Sequence, residues 1–203
     1  MTRTSLLLGA TALAMVPVAA LADAHSTRGS SGHLNIIYWQ APSTLNPYLS
    51  GGTKEVESAS LILESMARFD DNGTMVPWLA ESIPTVENGG ISEDLTSITW
   101  TIAEGVTWSD GSALTPADFI FTWEYCTHPE GGCAQASFFD GVTSVEAVDD
   151  RTVRVNFASA TPFPYTAFVG SESPVLQAAQ FAECLGARAP ECTDANFGPL
   201  GTG

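Results

Sequence analysis

Positive charge is the scarcest commodity in this sequence. Lys and Arg together number 7 against 23 Asp and Glu over 203 residues, a formal net charge of −16. Binding nucleic acid through its phosphates requires a clustered basic surface, which this composition does not supply. The acidity keeps the protein soluble and does not identify a ligand. Histidine is equally sparse: His25, His33 and His128 are scattered, the first two in a polar N-terminal stretch. No Gly-x-Ser-x-Gly elbow, His-Glu-x-x-His, P-loop or dinucleotide fingerprint occurs, so the common hydrolase, metalloprotease and nucleotide-binding chemistries have no carrier. An exported hydrolase would have to work with adjacent carboxylates: Asp70-Asp71, Glu93-Asp94 or Asp149-Asp150. Each pair sits in a turn, where acids are ordinarily solvated. A metal reading of Cys126, His128 and Cys133 lacks a nearby fourth ligand and the Cys-x-x-Cys spacing of structural zinc. The expectation is neither enzyme, cofactor nor metal site.

Long apolar runs are also lacking, except at the start. Arg3 precedes an apolar stretch from Leu6 to Ala20, and Ala20-Leu21-Ala22 offers small residues for a signal peptidase. The run is shorter than the ~20 residues that span a bilayer. It reads as a cleavable signal peptide over 1–22, followed by a mobile terminus over 23–33 and export to a periplasm without membrane insertion. No cysteine follows the run to take a lipid anchor. Four cysteines in an exported chain point to disulfides, with three connectivities open. Cys126 with Cys133 and Cys184 with Cys192 is the simplest pairing, each bridge closing a small loop and adding at most about 2–3 kcal/mol.

The remaining composition, 44% hydrophobic with five tryptophans, can bury a core. Leu34–Trp39 reads as an apolar strand, and Gln40 to Tyr48, broken by Pro42 and Pro47, as a loop. A helix capped by Thr53 follows, with Val56, Ala59, Leu63 and Met66 at helical spacing and Arg68 at its end. Asn72-Gly73 marks a hairpin turn. Ile98, Trp100 and Ile102 alternate as a half-buried strand that Val106 and Trp108 continue. Ser109-Asp110-Gly111-Ser112 turns the chain. Thr115 then N-caps a helix with Pro116 in its first turn and Asp118 at N3, facing the positive end of the dipole. Phe119, Trp123 and Cys126 share a face directed to the core. Val142–Val148 and Thr152–Phe157 form a hairpin around Asp149-Asp150-Arg151. Thr161–Tyr165 opens a short helix to Phe168, and Ser173-Pro174 precedes another carrying Val175, Ala178 and Phe181.

Four segments carry a family resemblance: Thr44-Leu45-Asn46-Pro47; Val76-Pro77-Trp78-Leu79-Ala80-Glu81; Gly105-Val106-Thr107-Trp108-Ser109-Asp110-Gly111 with Leu114-Thr115-Pro116-Ala117-Asp118-Phe119; and Asn196-Phe197-Gly198-Pro199-Leu200-Gly201-Thr202-Gly203. In this order they resemble the family 5 extracellular solute-binding proteins, the peptide-, oligopeptide- and nickel-type receptors of ABC importers. The resemblance implies an α/β, periplasmic-binding-protein-like fold of the bilobal type II. Of it, 34–203 would be most of the first lobe, breaking off at the C-terminal end. Its main sheet would draw on about 34–49 and 169–203, with about 50–168 as an inserted subdomain. It further implies a monomeric periplasmic receptor that captures a peptide or similar small solute for ABC permease subunits. The ligand contacts it suggests are Trp39, Gln40, Tyr48, Ser50, Gly51, Gly52 and Thr53, with Thr202 near a hinge. The aromatic residues would pack on the solute, while hydroxyls and the Gly51-Gly52 backbone beside a helix N-terminus would hydrogen-bond it. A non-transport interaction module is the other class in view, and it would have no solute pocket.

Overall fold

The computed structural model describes residues 35–202; the signal-peptide and N-terminal readings over 1–33, and Leu34, lie outside them. The loop signals place the elements well. β1 (Ala67–Phe69) and β2 (Met75–Pro77) form an antiparallel hairpin whose turn holds Gly73 at φ +76°. Asp70 Oδ1 accepts the Asn72 and Thr74 N–H groups at 2.9 and 2.8 Å and closes that turn. A second sheet contains β3 (Ser97–Thr101), β4 (Val142–Ala147) and β5 (Thr152–Phe157), in the order β3-β5-β4 and antiparallel throughout. Its register sets Ile98 and Val145 against Val155, and Trp100 against Val153. One face is therefore apolar and buried, while Thr99, Arg154 and Glu146 point away, the period-2 alternation visible in the sequence.

The segment 115–127 behaves as its signals require. Thr115 is extended (φ −134°, ψ 164°), Pro116 opens α2 (Pro116–Thr127), and Asp118 reaches back to the Thr115 N–H at 2.9 Å. The buried Asp118 also accepts from the Trp108 indole (3.3 Å) and the Ala178 N–H (2.9 Å). Its carboxylate thus joins the turn before the helix to a segment sixty residues on. Phe119, Phe121, Thr122, Tyr125 and Cys126 are buried, with Phe119 edge-on to Phe168 at 5.2 Å and Phe168 edge-on to Phe139 at 5.4 Å. Both disulfides are local, Cys126–Cys133 and Cys184–Cys192.

Several elements differ from the sequence reading. The helix beginning at Thr53, α1, ends at Ala59 and is capped by Gly52 without a side-chain bond. Leu63 and Met66 are still buried, but sheet pairing claims the backbone there. Met66 N–H goes to the Phe168 carbonyl (2.8 Å), its own carbonyl accepts Trp78 and Ala80, and Ala67 bridges Val169 in parallel. These tertiary bonds outcompete another helical turn. No strand forms over 35–39; Ile37 is 98% and Trp39 70% exposed. A lone extended segment has no neighbour to satisfy its backbone, so apolar character alone cannot make it a strand. Thr107 makes only an isolated bridge to Ala113 after the backbone turns at Gly105 (φ +78°), which ends β3 early. No helix forms between 161 and 168, where Pro162 and Pro164 supply no N–H donors. The helix after Ser173-Pro174 shrinks to α3 (Ala178–Phe181), because Val175 and Leu176 N–H groups go instead to the Glu64 carbonyl (2.8 Å) and Thr122 Oγ1 (2.9 Å). α4 (Thr193–Phe197) is the last helix. Among the described residues, neither 35–49 nor 169–202 contributes a strand beyond the single bridge at Val169.

Candidate functional site

The site is organised by an elbow at Thr44–Leu49. Asn46 is fully buried and caps a 3-10 turn (Pro47–Leu49), its Oδ1 accepting the Tyr48 N–H at 3.1 Å. Its Nδ2 donates to the Tyr125 hydroxyl (3.0 Å) and to Asn196 Oδ1 (2.9 Å). The Asn196 carbonyl in turn accepts Leu45 N–H (2.8 Å) and Thr44 Oγ1 (3.1 Å). Two segments 150 residues apart are thereby stitched by side chain and backbone together. Tyr48 lies within this knot rather than on a ligand surface. It is wholly buried among Tyr125 and Phe139, and its hydroxyl donates to the Pro174 carbonyl. Burial raises its phenol well above the ordinary range, and burial likewise raises Tyr125 to about 12 against the pull of the Asn46 bond. The expectation of Tyr48 as a ligand contact is corrected: a loop aromatic followed by an apolar core is absorbed by it.

The elbow delivers Ser50, Gly51, Gly52 and Thr53 to the surface. Gly51 and Thr53 are exposed and Ser50 and Gly52 half-buried. The Gly52 N–H is taken by Ser50 Oγ (3.3 Å), and α1 is seven residues long. The space beside Gly52 belongs to Glu55, whose Oε2 would lie 2.4 Å from a Cβ added there. The reading of a backbone cradle at a helix N-terminus is therefore corrected; Glu55 already occupies that end. This buried carboxylate accepts Ser43 N–H (2.8 Å) and Ser43 Oγ (2.7 Å), and pairs with Lys54, which also donates to the Ala41 carbonyl (3.2 Å). The loop after Trp39 and Gln40 is thus fastened to α1. Burial opposes Glu55 ionisation, but Lys54 and Ser43 outweigh it and hold the carboxyl at about 2, below its ordinary 4.5.

A folded pKa below the unfolded one means that the unfolded chain binds more protons between the two values. Glu55 should therefore stabilise the fold fully above about pH 4.5 and lose that contribution as pH falls toward 2. The expected result is a urea midpoint gap between the wild type and Glu55→Gln that is constant near neutrality and closes in this acid window. A gap independent of pH from 7 to 2 would show that the ion pair contributes nothing.

Trp39 and Gln40 are exposed. Their neighbours Ile36, Tyr38 and Pro42 face Glu57, Ser58, Ser60 and Leu61 across a hollow of about 430 Å³. Thr202 is placed against the chain that follows α1. Its hydroxyl donates to Glu64 Oε2 (2.5 Å), and Glu64 also accepts the Trp78 indole N–H. Arg68 lies 4.6 Å above the Trp78 ring and donates to the Ser60 and Leu63 carbonyls. Gly201 packs against the Ile62 backbone. Ser50–Thr53 therefore lead into and open α1, while Thr202 is held at Glu64, five residues past its end. Sequence reasoning missed Asn46, Asn196, Glu55 and Glu64 as the residues that hold these surfaces. Two of them lie in segments that carried the resemblance.

The paired acids serve as turn formers. Asp70, Asp94 and Asp149 each accept local backbone N–H groups; the Thr96 hydroxyl holds Asp94, and the Arg151 N–H holds Asp149, below the ordinary carboxylate range. Among the described residues no group of three or more His, Cys, Asp or Glu could hold a metal.

Residues 74–203, more than half of the chain, match the family described as bacterial extracellular solute-binding proteins, family 5 Middle. The oligopeptide-binding protein OppA of Bacillus subtilis is 27% identical over 145 residues, covering 64% of this chain and 26% of that protein. Among solved structures, the oligopeptide-binding protein AppA of Bacillus subtilis in complex with a nonapeptide superposes with a TM-score of 0.66 at 20% identity, over 80% of this chain and 31% of its own. NikZ of Campylobacter jejuni in complex with Ni(L-His) gives a TM-score of 0.65 at 23% identity, over 81% and 30%. At these identities the structures establish a shared fold. The chain spans about a quarter of the length of the curated relatives it matches.

Proposed function

Because the chain belongs to the family 5 bacterial extracellular solute-binding proteins, we propose that it captures a small solute for an ABC importer. In this reading 34–203 supplies most of the first lobe of a bilobal α/β receptor, with 50–168 as the inserted part. The observation that carries it is the Asn46–Asn196 bond (2.9 Å). It locks together two segments resembling the family's and so fixes the Ser50–Thr53 corner at the surface. Trp39, Gln40 and the corner residues Ser50, Gly51 and Thr53 are the proposed solute contacts, and Thr202 the hinge contact. Binding and release are the whole of the activity, with no chemical step. A peptide is the proposed solute class, in keeping with the peptide-binding names of several relatives. The OppA proteins of Haemophilus influenzae and Escherichia coli are named as periplasmic, which supports a periplasmic location. The permease is the proposed partner, and the receptor is proposed to act as a monomer.

A ligand that binds only the folded state raises stability by RT ln(1 + [L]/Kd), about 2.7 kcal/mol at a hundred times Kd. Thermal unfolding of the chain against a panel of short peptides should therefore show a concentration-dependent rise in Tm, smaller in Gln40→Ala and Thr53→Ala. Intact peptides should be recovered at the end. Peptide cleavage, or no peptide-linked shift at millimolar concentrations, would sink the proposal.

A further inference from the structure

Both disulfide loops converge on the elbow. From the first, the Ala134 N–H, just past Cys133, donates to the Tyr48 carbonyl (2.8 Å), and Tyr125, just before Cys126, takes the Asn46 amide. From the second, the Ala189 carbonyl inside the loop accepts Asn196 Nδ2 (2.8 Å), and the Cys192 carbonyl accepts the Asn196 N–H (2.9 Å). Asn196 is the residue that grips Thr44, Leu45 and Asn46. The elbow is thus held from two sides by loops whose shape depends on an S–S bond.

The two bonds are alike in burial and differ in surroundings. Cys126 on α2 and Cys184 are buried, and Cys133 and Cys192 are half-buried. Cys184 and Cys192, however, both line one open bowl of about 590 Å³, together with Glu183, Glu191 and Asp194. Arg188 pairs with Glu183 at 2.9 Å, which leaves Glu191 and Asp194 to give the bowl its negative charge.

We propose that the Cys184–Cys192 disulfide is a redox-controlled clamp on the solute site. Oxidised, it holds Asn196 against the elbow and keeps the Ser50–Thr53 corner in place; reduced, it releases both. The proposal rests on the receptor reading for its consequence in binding, but not for the clamp itself. The reductant is a dithiol, or two molecules of a monothiol that together supply the two thiols. One of its thiolates attacks a cysteine sulfur, the protein S–S bond breaks, and a mixed disulfide forms with the departing sulfur leaving as thiolate. The second thiol of the reductant, as thiolate, then displaces the bound cysteine. The protein gains two electrons and two protons as two thiols, and the reductant leaves as its own disulfide. The acidic surroundings repel anionic thiols, so exchange should be slow with them and quicken with salt, whereas a neutral dithiol gains little from salt.

The experiment treats the folded, oxidised chain at pH 8 with dithiothreitol or with glutathione. Alkylation and mass analysis follow the thiols, and amide hydrogen exchange follows the elbow. Cys184 and Cys192 should be labelled before Cys126 and Cys133. Leu45 and Asn196 amides should then exchange at least about tenfold faster while Val153 and Val155 in β5 keep their protection. Glutathione should be the slower reagent and the more salt-sensitive. The double variant Cys184→Ser/Cys192→Ser should show the same elbow exchange without reductant; if it does not fold, chemical reduction of the wild type gives the reading. Where the oxidised chain binds a peptide, affinity should fall about tenfold on reduction. Earlier opening of Cys126–Cys133, unchanged Leu45 exchange, or a uniform rise across the sheet overturns the clamp, and so does equal peptide affinity in both redox forms. A loosened elbow in a chain that binds no peptide even when oxidised overturns the receptor reading and upholds the clamp.

Discussion

Replacing Asn46 with alanine is expected to remove about 3–5 kcal/mol of stability, because buried polar partners left unsatisfied cost ~1–3 kcal/mol each. Three groups lose their partner at once: the Tyr48 N–H, the Tyr125 hydroxyl and Asn196 Oδ1. Asn46 is fully buried, so water cannot replace the amide without opening the fold. The loss also extends beyond the local turn, since Asn196 positions Leu45 and Thr44 through its carbonyl. Asn46→Asp separates the contributions. It keeps an acceptor for the Tyr48 N–H but sets a carboxylate against Asn196 Oδ1, so it should be nearly as damaging at neutral pH. As acid protonates the new carboxyl its deficit should shrink, because the protonated form can donate again. Urea unfolding of the two variants across pH measures both effects. An alanine deficit below about 1 kcal/mol would mean that the elbow is not held by this side chain.

How much of this was legible depends on whether the determining interaction is local. α2 follows from Thr115, Pro116 and Asp118, three neighbours whose bonds close within one turn. The β1–β2 and β4–β5 hairpins follow from Asn72-Gly73 and from the Asp149–Arg151 turn, again short-range. Beyond α1 the helical spacing of Leu63 and Met66 suggested more helix. Their burial was foreseen, but the bonds that end the helix come from Phe168, Trp78 and Ala80, and no local pattern contains those partners. The same holds for 35–39: apolar side chains state a preference for burial, yet a strand exists only when another strand lies alongside. In the site, exposure of Gly51 and Thr53 could be read from a Ser/Gly-rich loop. Tyr48 could not be assigned, because an aromatic in a loop fits a ligand surface or a core equally well until Pro174 and Phe139 are placed around it. Asn46 and Asn196 were visible as members of two separate motifs. Polarity alone gives no sign that they form one bond.

Substituting alanine for Gly201 should be the second severe change, at about 2–4 kcal/mol, the upper part of what overpacking a tight contact costs. A Cβ at this position would lie 2.2 Å from the Ile62 carbonyl oxygen and 3.0 Å from its carbonyl carbon. Both atoms are backbone, so no side-chain rotation can relieve the contact and one chain segment must move. Movement is resisted on each side. The Ile62 N–H is bonded to the Ala59 carbonyl (2.9 Å), the Gly201 carbonyl accepts Ser109 N–H (2.8 Å), and the next residue donates its hydroxyl to Glu64. The glycine is therefore required for closeness. Its backbone lets the chain leading to Thr202 lie directly on the turn that ends α1, and it ties the Trp108–Ser112 turn to the same point. Gly51→Ala is the matched control, since its Cβ would meet only the Gln135 side-chain nitrogen at 3.8 Å, an ordinary contact. Thermal unfolding should show a large drop in Tm for Gly201→Ala and almost none for Gly51→Ala. Trp78 fluorescence should change only in the former, because displacing Thr202 disturbs the Glu64 carboxylate that accepts the Trp78 indole. Equal midpoints for the two variants would show that the segment before Thr202 yields freely, and the coupling between α1, the 108–112 turn and the proposed hinge contact would then have to be given up.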